Sequence, residues 1–178
     1  MKKIFIFLAI LSAAITYSQE FVMSLDNYKA KDDAAKDYIV LDFPGTDKEH
    51  LFSMTKKYLI ANYKGIKNDG YNEVPNEQIV LDVLSRDYRR IWINLHGGNL
   101  WKVSNRYEFN FKDNKLMIRP SFNNFANTEN DTTAKITVLY NSRGEIRRQD
   151  IISFVEALAN TFVRDFKKGI EEYKSNDW

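Results

Sequence analysis

Between residues 101 and 111 the chain alternates. Trp101, Val103, Tyr107, Phe109 and Phe111 share one parity, and Lys102, Ser104, Arg106, Glu108 and Asn110 take the other. A period of two sends successive side chains to opposite faces, so this stretch predicts a strand with one face buried. Lys112-Asp113-Asn114-Lys115 follows as a tight hairpin turn, because Asp and Asn tolerate positive φ. The return strand, 116–122, sets Leu116, Ile118 and Phe122 inward, and Pro120, lacking an amide proton, places it at an edge near that point. Upstream, 78–84 alternates with Ile79, Leu81 and Val83 on one side, and 90–95 with Ile91, Ile93 and Leu95, before Gly97-Gly98 breaks the pattern. Ile66-Lys67 begins a strand that Asn68-Asp69-Gly70 interrupts. A β-rich run over 38–43 stops at Pro44-Gly45. Residues 123–133 read as a polar loop and 135–140 as a further short strand.

Two stretches change period. Thr46 with Glu49 forms a capping box, and a helix follows over 47–63 with Leu51, Met54, Thr55, Tyr58, Leu59 and Asn62 on one stripe, ending at Lys64-Gly65. Near the C-terminus, Ile151, Val155, Leu158, Phe162, Phe166 and Ile170 keep one broad apolar face over a helix from 148 or 150 to 173. About 24 residues give it roughly 36 Å, enough to cross a sheet. The pattern predicts a single α+β domain over 38–174. It has one antiparallel sheet of about five strands, a short helix after strand one, and a long C-terminal helix packed on the same face. Residues 19–37 read as a lead-in: 19–25 suits a short edge strand, and the charged, alanine-containing 26–37 a solvated linker or short surface helix. Residues 175–178 are a tail.

The first eighteen residues add a location. Lys2-Lys3, an apolar run from residue 4 to 11, and small side chains at Thr16 and Ser18 make a secretory signal, with cleavage expected between Ser18 and Gln19. The apolar stretch is about 12 residues, short of the roughly 20 a membrane span needs. The mature protein is therefore expected to be soluble, and periplasmic or extracellular. Lys2 and Lys3 account for the whole formal excess of +2, so the mature chain is formally neutral and gives no electrostatic case for nucleic acid or an anionic membrane. There is no cysteine, which excludes thiol catalysis, Cys-ligated zinc and lipid attachment at an N-terminal cysteine. With 12 Phe, 10 Tyr and 3 Trp, packing has bulky material to work with.

Local chemistry is sparse. His50 and His96 are too far apart for metal-ligand spacing, and no cofactor or metal is expected. His96-Gly97-Gly98 echoes an esterase oxyanion loop, but no G-x-S-x-G elbow accompanies it. Asn68-Asp69-Gly70-Tyr71-Asn72-Glu73 is rich in oxygen ligands without the alternation of a calcium loop. Arg86, Arg89 and Arg90, with Tyr88 between, read as surface charge, as do Arg143, Arg147 and Arg148.

The run Phe43-Pro44-Gly45-Thr46, the helix ending near Asn62-Tyr63-Lys64, the hairpin over 107–119 and the long terminal helix resemble an uncharacterised exported bacterial domain family, described as having a fold like the TATA-box-binding protein. Where that family has a glycine and a Tyr-Arg pair after the Lys-Asp, this chain has Asn114 and Leu116-Met117. The resemblance implies a fold and no activity, and a fold's name does not import DNA binding.

Two candidate sites remain. Val80, Trp92 and Met117 fall on the outward parity beside Arg90, Glu108 and Arg119, and an apolar patch rimmed by charge is expected to meet a partner protein or a second copy of the chain. Phe154, Leu158 and Phe162 would line a cavity between sheet and terminal helix that holds a small apolar ligand. The first reading, a non-enzymatic binding or structural module, is preferred to the carrier, and a hydrolase built from distant residues comes third.

Overall fold

The computed structural model describes residues 20–63, 70–91 and 98–175. Its main sheet runs through β3 (Ile39–Asp42), β4 (Tyr71–Val74), β5 (Gln78–Ile91), β6 (Asn99–Lys112), β7 (Lys115–Asn127) and β8 (Thr133–Ala134). The order across it is β3-β7-β6-β5-β4, with β8 on β7, every pairing antiparallel. Helices α1 (Lys48–Asn62) and α2 (Gln149–Ser175) both pack on one face, as the apolar parity of β6 requires. Phe109 meets Phe166, and Phe111 meets Phe52 edge-on at 5.3 Å. Every member of the terminal stripe is buried except Leu158, which is half-buried.

The α+β architecture stands, with two corrections. The sheet has six strands rather than about five, and α1 follows the third strand in the chain. The cause lies in residues 20–37. Phe21–Met23 (β1) pairs with Tyr28–Ala30 (β2) in a separate two-stranded sheet. The expected linker is thus a hairpin with Phe21 and Tyr28 fully buried. Alternation in β1 and β2 is only three residues long each, too short to stand out from the charged residues around it.

Polar side chains of other elements bind this hairpin by its backbone. Asn160 on α2 accepts from Phe21 N at 2.7 Å and donates to Phe21 O at 3.0 Å, and Glu156 accepts from Met23 N at 2.8 Å. Asn27 accepts from Phe122 N at 2.8 Å, on the flank of β7 beyond the point where β3 stops pairing. Pro120 sits on that same unpaired flank, which agrees with the edge expected there.

Smaller differences follow from competing local chemistry. Asp47, not Thr46, caps α1, accepting from His50 N at 2.8 Å, while Thr46 Oγ1 is buried without a partner. Residues 78–84 and 90–91 belong to one long strand, because a bulge joins them. Ile136–Leu139 is a 3₁₀ turn rather than a strand. The 112–115 hairpin forms as expected, with Asn114 at φ 63°. Its tip holds the entry to α1: Asp113 Oδ1 accepts from Lys48 N at 3.0 Å and Asn114 Oδ1 from Gly45 N at 2.7 Å. The expected signal and cleavage point, the helix end at Lys64-Gly65, the strand start at Ile66-Lys67, Asn68-Asp69, Trp92, Ile93, Leu95, His96-Gly97 and residues 176–178 lie outside the described residues.

Candidate functional site

The outward face of the sheet is closed by ion pairs. Val80, Glu108 and Arg119 stand in one cross-strand row, and Met117 lies in the next, opposite Asn110 and Val40. Arg119 reaches both Glu108, at 3.4 Å, and Asp37, at 3.1 Å, and its guanidinium lies over Tyr38. One row further, Arg106 grips Asp82 through two nitrogens at 2.8 and 2.9 Å, and Asn123 adds a donor to the same carboxylate. The Arg106 contact holds the Asp82 carboxyl below the usual carboxylate range. Val80 and Met117 are half-buried among these side chains. Arg90 is not with them: it stands ten residues along β5 from Val80, opposite Leu100, and donates to Gly98 O at 3.0 Å. Trp92, the residue that made the patch most apolar, is not among the described residues. Among the described residues, the exposed large apolar side chains of this face are Leu84 and Tyr88 on β5 and Val74 on β4, each about half exposed.

The inner face is different. Along β6 every inward position from Trp101 to Phe111 is apolar or aromatic except Asn105, between Val103 and Tyr107. At this level both neighbouring strands bulge. In β5, Ser85, Arg86 and Asp87 stand where the register slips between Leu84 and Tyr88. In β7, Asn123 is the extra residue between the partners of Ser104 and Asn105. Bulges bend a strand and re-aim side chains, and they are common next to binding sites. A small side chain flanked by two bulges leaves space beneath α2. A cleft of about 330 Å³ opens there, between β5, β6, the last turn of α1 and the middle of α2.

Aromatic rings build its walls. Tyr107 stacks on Phe162 with ring centroids 3.6 Å apart and planes 10° from parallel, and the Tyr63 ring lies 5.5 Å from Phe162, tilted by 41°. Tyr58, Val83 and Leu158 complete the apolar lining. Its floor is a buried polar chain. The Tyr28 hydroxyl lies 3.1 Å from Asn105 Oδ1 and 3.2 Å from the Val155 carbonyl, one hydrogen serving two acceptors. Asn105 Nδ2 donates to the Tyr107 hydroxyl at 3.4 Å. Burial raises the Tyr28 and Tyr107 hydroxyls well above the ordinary phenol range, so both are neutral donors at neutral pH. The rim carries Asp87, Asp165 and Arg86, the last donating to Asn62 O at 3.3 Å.

Of the three residues expected to line a cavity, Leu158 and Phe162 do so. Phe154 does not; it sits one turn earlier on α2, with the Arg89 guanidinium carbon 4.3 Å above its ring. Asn105, Tyr63 and the bulge residues were not anticipated. An asparagine on an inward parity was the signal that could have found the site, since buried amides are placed only where partners await them.

Ser85 Oγ accepts from Val103 N and donates to Asp87 O, which occupies it on both sides. Among the described residues, no cluster of His, Asp or Glu could hold a metal ion, and no helix is long and apolar enough to cross a membrane.

No family model matches the chain, and no curated protein does. Two solved structures are similar to it. One is a TBP-like protein from Parabacteroides distasonis ATCC 8503, 13% identical, with TM-score 0.44 over 75% of this chain and 90% of that one. The other is a DUF4468 family protein from Bacteroides ovatus ATCC 8483, 11% identical, with TM-score 0.46 over 75% and 82%.

Proposed function

We propose that this protein is an exported, non-enzymatic binding module whose ligand is a small molecule held in the cleft between β5, β6 and α2. The observation that carries this reading is the pair of bulges around Asn105. They cost two interruptions of the sheet and leave a buried amide and two phenols gathered under an aromatic wall, instead of a filled core. The volume sits at the small end of ligand pockets, which run from roughly 300 to 1,000 Å³. A mixed lining suits an amphipathic molecule better than the purely apolar ligand first expected.

The test is direct. Organic extraction and mass spectrometry of the purified protein, with ligand screening by thermal shift, should find a small molecule bound by the natural chain. Leu158→Trp, which places a large ring in the cleft from a half-buried position, should abolish that binding without loss of the fold. Equal binding by the filled variant would refute the cleft as the site.

A second reading places a partner protein or a second copy on the outward face. What favours it is the exposed pair Leu84 and Tyr88 on β5. Against it stand the Arg106–Asp82 and Arg119–Glu108 pairs, which satisfy the centre of that face internally. Sedimentation of Tyr88→Lys beside the natural protein distinguishes the two, since a contact through this face would be lost in the variant.

A further inference from the structure

Resting on the cleft reading above, the geometry points to a specific ligand class: a planar aromatic ring bearing a neutral hydrogen-bond acceptor, its ring against Tyr63 and Phe162 and its acceptor on the Tyr107 hydroxyl and Asn105 amide. Three observations lead there. First, the floor is left with donors. Asn105 Oδ1 is taken by Tyr28, and Tyr107 Oη is taken by Asn105 Nδ2. The hydroxyl hydrogen of Tyr107 and the second hydrogen of Asn105 Nδ2 have no acceptor among the described residues. Two unpaired hydrogens on this floor favour a ligand atom that accepts. A ligand without an acceptor would bury two donors unpaired, which is what makes such a site discriminate.

Second, the walls are ring faces. Tyr107, Phe162 and Tyr63 form a continuous series, nearly parallel at one step and tilted by 41° at the next. Offset and tilted ring pairs add attraction beyond the area they bury, so a flat ring extends the series and a saturated ring does not. Third, the rim sets the charge. Among the described residues, Asp87 and Asp165 stand there against Arg86, and Arg86 already serves the end of α1. Two carboxylates against one guanidinium disfavour an anion, so the acceptor is a carbonyl or ether oxygen rather than a carboxylate.

Three probes of similar size separate these elements: acetophenone, ethylbenzene, which lacks the acceptor, and cyclohexyl methyl ketone, which lacks the flat ring. Isotope-labelled protein is titrated with each, following the amide signals of Val103, Asn105 and Leu158. Acetophenone is expected to bind about tenfold more tightly than either of the others, the factor one neutral hydrogen bond or one good ring contact supplies. Tyr107→Phe should reduce the preference over ethylbenzene without erasing it, since the Asn105 amide still donates, and keep the preference over cyclohexyl methyl ketone. Tyr63→Leu, a change at a partly exposed wall, should do the reverse, and it carries the test if the Tyr107 variant does not fold. Equal binding of all three probes in the cleft would overturn the ligand class and leave the cleft reading intact. No shift at the cleft signals with any probe would overturn both.

Discussion

Gly169→Ala is the sharpest test of how the two helices meet. A Cβ on Gly169 would stand 2.1 Å from Tyr58 Cε2 and 2.5 Å from Cδ2. Carbon contacts are comfortable at about 3.5 Å and beyond, so the overlap is about 1.4 Å. The Tyr58 ring has little room to yield. It is buried, packed edge-on against Phe166 at 5.4 Å and against Tyr173 at 6.5 Å, both near 89°. Two terms oppose each other. Alanine improves a helix interior over glycine by about 1 kcal/mol. Forcing a methyl into a filled core costs roughly 1–3 kcal/mol, and ring carbons at this depth argue for the upper part of that range. The net expectation is a loss of about 1–2 kcal/mol, which at about 2–4 °C per kcal/mol lowers Tm by roughly 2–8 °C. Urea and thermal unfolding measure it. Repeating the substitution in a Tyr58→Ala background removes the clash, so there it should stabilise by about 0.5–1 kcal/mol. A Gly169→Ala protein more stable than the natural chain would refute this account of the helix contact. Because Tyr58 is also a wall of the cleft, the same variant should weaken ligand binding.

Other consequences are simpler to state. Tyr28→Phe removes the hydroxyl shared by Asn105 and Val155 and should cost about 1–2 kcal/mol in urea unfolding, whereas a solvated lead-in would show no change. Asn160→Ala strips both hydrogen bonds from Phe21 and should raise hydrogen exchange in β1 and β2 while α1 and the centre of the main sheet stay protected. Asp82 is held below its ordinary pKa, so its contribution to stability is present above about pH 4, the unfolded value, and is lost as pH falls through the lower folded one. Asp82→Asn should therefore flatten the acid limb of a stability–pH curve by less than about 1 kcal/mol, since the pair is partly exposed.

The long elements were legible because many positions voted together. Six stripe residues on α2 and five aromatic or aliphatic positions on β6 cannot keep period by accident, and the hairpin turn had its Asp and Asn in place. Short elements were not: β1 and β2 hold three residues each, and their burial is decided by α2, more than a hundred residues away. Thr46 and Asp47 are both good caps, and only the backbone entering α1 selects between them. Leu158 and Phe162 line the cleft, whereas Phe154 meets Arg89, because one turn of helix carries it beyond the bulge that opens the cleft. That bulge has no local signature, since Ser85-Arg86-Asp87 resembles any polar break between two strands. Asn105 was visible but passed over, a polar letter in an apolar series.

The grip of Asn160 and Glu156 on β1 joins segments more than 130 residues apart. A ribosome delivers residues 20–30 well before residues 149–175, so the domain must wait for α2 before its interior can close. Until then Phe21, Tyr28 and the aromatic side of the sheet lack their cover, and the incomplete chain depends on chaperones or on speed to avoid clumping. Truncation within α2 should accordingly be as damaging as the loss of a central strand.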